Sequence, residues 1–170
     1  MRLLGAVLAG GKSSRFGSDK ALARHQGVAL IDHVINALAR EAGAVVVVGR
    51  DYPNMTGIPD WPNPGLGPLG GLCAALRHAA ATGYNHVLTA GCDLPNLPPD
   101  LARSLSPAPA YALGQPTIGL WPTTLASALG DHILAGNRSV HGWAEACYAH
   151  AIDLGKLANI NTAADLAALR

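Results

Sequence analysis

Residues 3–9, Leu-Leu-Gly-Ala-Val-Leu-Ala, carry no polar side chain, and so short an apolar run predicts a strand buried on both faces. A short extended segment follows over 21–27, with a turn at Gln26-Gly27. Leu30, Ile31, Val34, Ile35, Leu38 and Ala42 recur at three- and four-residue spacing, the pattern of an amphipathic helix over 30–42 that Gly43 stops. Residues 45–48 are four consecutive valines, which predicts another strand covered on both faces. Strand, helix, strand in that order opens a doubly wound parallel sheet.

Between residues 49 and 67 the pattern lapses into a Pro- and Gly-rich loop holding Arg50, Asp51, Tyr52, Asp60 and Trp61; loops that long are usually functional. Leu69, Leu72, Cys73, Leu76 and Ala80 restore a helical period behind Gly67-Pro68. Residues 85–90 predict a third strand, and Pro98-Pro99-Asp100 opens a short helix to about residue 105. Two further strands, 108–113 and 116–121, are separated only by Gly114-Gln115. Thr123 or Thr124 can cap a helix reaching residue 132. A helix over 139–147, an edge strand over 149–154 and a closing helix over 162–169 complete the chain, the last with Thr162 and Asp165 spaced as a capping box. The expected architecture is one α/β domain, residues 1–170, a three-layer doubly wound, mostly parallel sheet.

Composition sharpens this picture. Hydrophobic residues make up 49% of the chain and charged ones only 14%, which excludes disorder. A net charge of +1 gives no reason to expect a nucleic-acid or anionic-membrane surface, so any cluster of cations must be local. The three cysteines, Cys73, Cys92 and Cys147, have no Cys-x-x-Cys spacing, and no signal segment precedes Leu3; both are expected of reduced thiols in a cytoplasmic protein. No apolar run approaches the ~20 residues that span a bilayer. Seven scattered histidines lack the pairings of a zinc site.

The first strand breaks at Gly10-Gly11, and Lys12, Arg15 and Lys20 follow within nine residues. Adjacent glycines let backbone N–H groups converge on phosphate oxygens, and the cations suit a polyphosphate. A P-loop is excluded because Ala6 stands where its first Gly belongs, and a dinucleotide fingerprint because Gly10 and Gly11 are adjacent and the next is Gly17. Asp93, in Gly91-Cys92-Asp93-Leu94-Pro95, falls just past an apolar strand, where open α/β sheets place their ligands. A carboxylate facing a triphosphate is unfavourable unless a divalent cation lies between them, so its placement calls for Mg²⁺. The bland reading of Asp93 is an Asx-turn before Pro95.

The stretch Leu8-Ala9-Gly10-Gly11-Lys12-Ser13-Ser14-Arg15-Phe16-Gly17-Ser18-Asp19-Lys20 is similar to the signature loop of the nucleotidyltransferase superfamily, and most closely to that of the molybdenum cofactor guanylyltransferases. Gly67-Pro68-Leu69-Gly70-Gly71, Cys92-Asp93-Leu94-Pro95 and Asn159-Ile160-Asn161-Thr162 resemble further segments of that family, in its order. The resemblance implies a Rossmann-like nucleotidyltransferase fold and an enzyme that transfers GMP from GTP to the terminal phosphate of Mo-molybdopterin, releasing pyrophosphate. It implies GTP and Mo-molybdopterin as partners, admits cofactor-delivery or acceptor proteins, and implies Mg²⁺ as cofactor.

By the same resemblance Arg15, Lys20 and Asp93 are the catalytic residues, and Leu8, Ala9, Gly10, Gly11, Lys20, Asp60, Gly67 and Asp93 bind the nucleotide. Asp93 and Asn161 are the implied metal ligands, although Asn161 suits a helix cap equally well. Arg138 is implied to hold the acceptor's phosphate, with a solvated side chain as the alternative. Two departures stand out. Where the family commonly has an Asn near the end of the second strand this chain has Val47-Val48-Gly49, and the Gly114-Gln115 connection is unusually short. The sequence leaves two alternatives open: a cytidylyltransferase or other nucleotidyltransferase with a different acceptor, and a non-catalytic nucleotide or cofactor carrier.

Overall fold

A computed structural model describes residues 1–11 and 19–169. The first apolar run forms β1 (Leu3–Leu8), with its side chains divided between the two faces of the sheet. Leu4 and Ala6 join one core, and Leu3 and Val7 the other, which explains why the run has no polar position. A small antiparallel ribbon, β2 (Arg24–His25) and β3 (Val28–Ala29), folds about the turn at Gln26-Gly27. Helix α1 (Leu30–Ala39) buries Leu30, Ile31, Val34 and Leu38, the stripe its spacing predicts. Strand β4 (Ala44–Val48) pairs in parallel with β1.

The long loop holds one strand that its sequence does not announce. Strand β5 (Thr56–Ile58) extends the sheet edge, pairing in parallel with β4 from Val46↔Thr56 to Val48↔Ile58. Helix α2 (Pro68–Ala81) begins with Pro68 in its first turn, where the missing N–H costs no hydrogen bond. Then come β6 (His86–Gly91), the short α3 (Leu101–Ser104), and a hairpin of β7 (Ala110–Ala112) and β8 (Gln115–Pro122). Helix α4 (Ala126–Leu134), helix α5 (Val140–Ala146), strand β9 (His150–Ile152) and helix α6 (Ala163–Ala168) complete the order.

Thr123 and Thr124 do not cap α4. A 3-10 turn over Thr123–Leu125 intervenes, and the Thr123 hydroxyl is shared between the carbonyls of Tyr84 (3.3 Å) and Asn85 (3.2 Å), tying it to the start of β6. The capping box of α6 forms: Asp165 N–H donates to Thr162 Oγ1, and the Asp165 carboxylate accepts from Thr162 N–H.

The seven-stranded sheet runs β5-β4-β1-β6-β8-β7-β9, with β8 antiparallel to both neighbours and every other pairing parallel. One face packs against α2, α4 and α5 through Leu69, Leu72, Leu129, Ile133 and Trp143; the other packs against α1 and α3 through Val34, Leu38 and Leu101. The result is three layers with two cores. Register matters most for function: Leu8 lies opposite both Val48 and Gly91, so β4, β1 and β6 end level with one another. Their three exits share one crevice at the carboxyl edge of the sheet, where ligands of open α/β folds bind. Among the described residues no helix is long and apolar enough to cross a membrane.

Candidate active site

The crevice deepens into a cavity of about 330 Å³, within the range that takes a small-molecule ligand. Its floor is the exit of β1: Leu8, Ala9, Gly10 and Gly11. Ala9 N–H donates to Val48 O (2.9 Å), carrying the ladder one residue past the strand before the chain turns away. Gly10 then lies directly against Gly49 at the exit of β4. An added Cβ on Gly49 would stand 2.5 Å from Gly10 Cα, and Gly49 itself has φ +91°. A side chain at Gly49 would meet the Gly10 backbone, so the close approach of these two strand exits, as this chain makes it, suits glycine.

Lys20 and Asp93 close one end. Asp19 caps a 3-10 turn over Lys20–Leu22 by accepting from Ala21 N–H at its Oδ1 (3.2 Å), and Lys20 leads that turn. Its ammonium donates to Asp93 Oδ2 at 3.0 Å, with about a fifth of each side chain exposed (22% and 19%). Asp93 is carried two residues beyond β6 and folds back over Gly91, where a Cβ would come within 2.8 Å of Asp93 Oδ1. The tail of the chain locks this arrangement: Ile160, buried, donates its N–H to Asp93 O (3.1 Å).

Asp60 stands at the other end, between this cavity and an adjoining one of about 250 Å³ lined by Gly49, Arg50, Gly57 and Pro64. Burial pushes its carboxyl above the usual 3.8, and among the described residues no hydrogen bond to that carboxyl is formed. The neighbouring Trp61 N–H donates to Gly70 O (3.1 Å), pinning the loop of Asp60 to the first turn of α2. Gly67, Pro68 and Gly71 bring the N-terminus of that fourteen-residue helix to the cavity wall, where its free N–H groups favour an anion.

The structure thus brings Leu8, Ala9, Gly10, Gly11, Lys20, Asp60, Gly67 and Asp93 to one cavity. Arg15 lies outside the described residues. Asn161 and Arg138 are placed elsewhere. Asn161 is exposed, and its N–H donates to Asp165 Oδ2 (2.9 Å) at the start of α6. Arg138 is also exposed; its guanidinium donates to Ile133 O in the last turn of α4 and to Asn137 O beyond it (both 2.8 Å). From the same segment it is Asn159 that reaches the cavity. Its Oδ1 is buried and, among the described residues, has no hydrogen-bond partner. Arg50, Gln115 and Thr117 also reach the cavity.

What can this set do? Cys92, the nearest thiol, is pushed by burial up to about 11, so it is protonated at neutral pH and is no nucleophile. Helix N–H groups and an ammonium bind phosphate oxygens. A carboxylate and an amide oxygen lining the same cavity are hard oxygen donors of the kind a divalent cation takes, with phosphate oxygens and water for the rest. The Lys20 ammonium on Asp93 Oδ2 shows that a cation is already stabilised at that carboxylate. The donor set therefore fits Mg²⁺. Among the described residues no cluster of three His, Cys, Asp or Glu exists, so a metal caged by protein alone is not what these residues form.

A family model described as the MobA-like NTP transferase domain matches residues 5–146. A molybdenum cofactor guanylyltransferase from Acidiphilium cryptum is 35% identical over 182 residues, covering 96% of this chain and 92% of that protein. Another, from Rhodobacter capsulatus, is 34% identical over 180 residues, covering 98% and 94%. Among solved structures, molybdopterin-guanine dinucleotide biosynthesis protein A from Archaeoglobus fulgidus superposes with a TM-score of 0.74 at 24% identity, covering 97% of this chain and 95% of that one. A 2-C-methyl-D-erythritol 4-phosphate cytidylyltransferase from Thermus thermophilus reaches 0.61 at 14% identity, covering 98% and 95%. The two structures share their fold with this chain, and since one of them is a cytidylyltransferase the fold alone does not choose the base.

Proposed function

We infer the activity of this chain from one premise: it belongs to the MobA-like NTP transferase family. It transfers GMP from GTP to the terminal phosphate of molybdopterin carrying molybdenum, forming the guanine dinucleotide and pyrophosphate. Relatives named molybdenum cofactor guanylyltransferase, about a third identical over nearly the whole chain, support the choice of reaction. The observation that carries the phosphate chemistry is the Lys20 ammonium 3.0 Å from Asp93, in a cavity floored by Gly10 and Gly11.

An oxygen of the acceptor's terminal phosphate attacks the α-phosphorus of GTP. The new P–O bond forms as the bond to the bridging oxygen of the leaving group breaks, and the electron pair departs with pyrophosphate. The attacking oxygen is already ionised at neutral pH, so no general base is required. Catalysis then rests on positioning and charge neutralisation. Backbone N–H groups of Gly10 and Gly11 and the α2 N-terminus hold phosphate oxygens, and Lys20 neutralises charge that moves onto the leaving group. Asp93 and Asn159 are the residues that would hold Mg²⁺. When bound, it supplies Lewis-acid neutralisation of the phosphate oxygens. Arg15 joins Lys20 in this proposal on the strength of the motif alone.

Pyrophosphate release with molybdopterin and Mg²⁺ separates the readings. GTP is expected to support it, with CTP, ATP and UTP far behind. Preference for CTP rejects the guanylyl assignment, and no release with any nucleotide favours a carrier.

Asp60 supplies the guanosine contact: its carboxylate accepts from guanine N1–H and the 2-amino group. Those donors need the ionised carboxylate, and burial raises the pH at which it is lost. GTP affinity should therefore fall on acidification, beginning at a pH above the ordinary 3.8. Asp60→Asn should remove this acid limb and weaken GTP binding by about 1.5–3 kcal/mol, the range for a hydrogen bond to a charged group. Calorimetric titration with GTP across pH checks both; an unchanged acid limb in the variant would take Asp60 out of the base pocket.

A further inference from the structure

Asp19 is engaged through both carboxylate oxygens. Its Oδ1 accepts from Ala21 N–H (3.2 Å) and caps the turn that carries Lys20, while its Oδ2 accepts from Arg50 Nη2 at 2.7 Å. Arg50 follows Gly49 at the exit of β4, and Asp93 follows β6; β1 lies between those strands. The Asp19–Lys20 dipeptide therefore bridges β1, held at one side by Arg50–Asp19 and delivering Lys20 to Asp93 on the other. Arg50 and Asp19 both line the cavity with Lys20 and Asp93, so the two ion pairs belong to one site.

We propose that Arg50 is a positioning residue: by holding Asp19 it sets the turn from which Lys20 reaches Asp93 and the phosphates. This rests on the reading of the cavity as the GTP site. The Arg50 and Asp19 side chains are 26% and 37% exposed, and pairs this open to water contribute little to folding. Their use is geometric. A rigid, forked guanidinium fixes a carboxylate that is already tied to the backbone, and the next residue is the one whose ammonium must be aligned. Misplacing such a group by about 1 Å costs on the order of a hundredfold in rate.

Two variants separate positioning from direct nucleotide contact. Arg50→Ala removes the guanidinium; Asp19→Asn keeps an acceptor for Ala21 N–H and removes only the charge that Arg50 holds. The first readout needs no nucleotide: amine-reactive labelling of Lys20, normalised to the exposed Lys156 of the same molecule. An ammonium held on a carboxylate reacts slowly, so both variants should raise Lys20 labelling several-fold, and the double variant should match the singles because one contact is lost in each. The second readout is kinetic. Both variants should lose turnover on the order of ten- to a hundredfold with a smaller change in KM for GTP, and millimolar guanidinium should restore Arg50→Ala in part. Unchanged Lys20 labelling in Arg50→Ala overturns the proposal. So does near-normal turnover by Asp19→Asn beside a raised KM in Arg50→Ala, which would make Arg50 a direct nucleotide ligand. If the wild-type enzyme releases no pyrophosphate from GTP, the assigned reaction fails while the labelling result still decides the role of Arg50.

Discussion

Asp93→Ala should lower turnover on the order of 10²–10³-fold while leaving the protein folded. That loss is what removing one preorganised charge partner of a transferring phosphoryl group typically costs. The fold should tolerate the change because Asp93 lines the cavity and belongs to neither hydrophobic core. Metal dependence is the diagnostic feature. If Asp93 supplies the carboxylate for Mg²⁺, the variant should lose saturable Mn²⁺ binding in the presence of GTP, read by electron paramagnetic resonance, together with the rate. Steady-state pyrophosphate release and a thermal melt complete the measurement. Near-normal turnover would remove Asp93 from the metal site.

Lys20→Ala should lose turnover on the same scale, by a different route. Here the carboxylate remains and its 3.0 Å ammonium partner is gone, so Asp93 Oδ2 becomes more available to a divalent ion. Mn²⁺ affinity should hold or rise while kcat collapses, the opposite pairing of effects to Asp93→Ala. A Lys20→Ala enzyme that loses metal binding and rate together would mean that the lysine orders the site rather than neutralising the leaving group.

Much of this was legible in the chain before any coordinates. The apolar runs at 3–9 and 45–48 could be read as doubly covered strands because a central parallel sheet leaves no polar position, and Leu3, Leu4, Val46 and Val47 do divide between two cores. Strand β5 was not legible: Thr-Gly-Ile is too short for a period, and it is a strand only because β4 offers it a free edge. Thr123 has the composition of a cap and instead holds two carbonyls at the start of β6, a choice made by tertiary neighbours.

The site divides along the same line. Gly10, Gly11, Lys20 and Asp93 could be picked out from motifs at strand exits, where register brings them together. Arg50 could not, since its value lies in a partner 31 residues earlier that only the β4–β1 pairing brings near. Asn159 and Asn161 are two equivalent residues in sequence. Asn161 is drawn to the start of α6 by its N–H bond to Asp165 Oδ2, and it is Asn159 that lines the cavity. Arg138, a lone cation after a helix, donates to Ile133 O in the last turn of α4, a contact its sequence neighbours do not announce.

The most direct measurement is a crystal structure with GTP and Mn²⁺, located by its anomalous signal. The account predicts the ion bound to an Asp93 carboxylate oxygen and to phosphate oxygens of GTP, with the triphosphate lying across Gly10 and Gly11 and Lys20 turned onto it. A triphosphate bound away from the β1 exit, or an ion with no contact to Asp93, would contradict it.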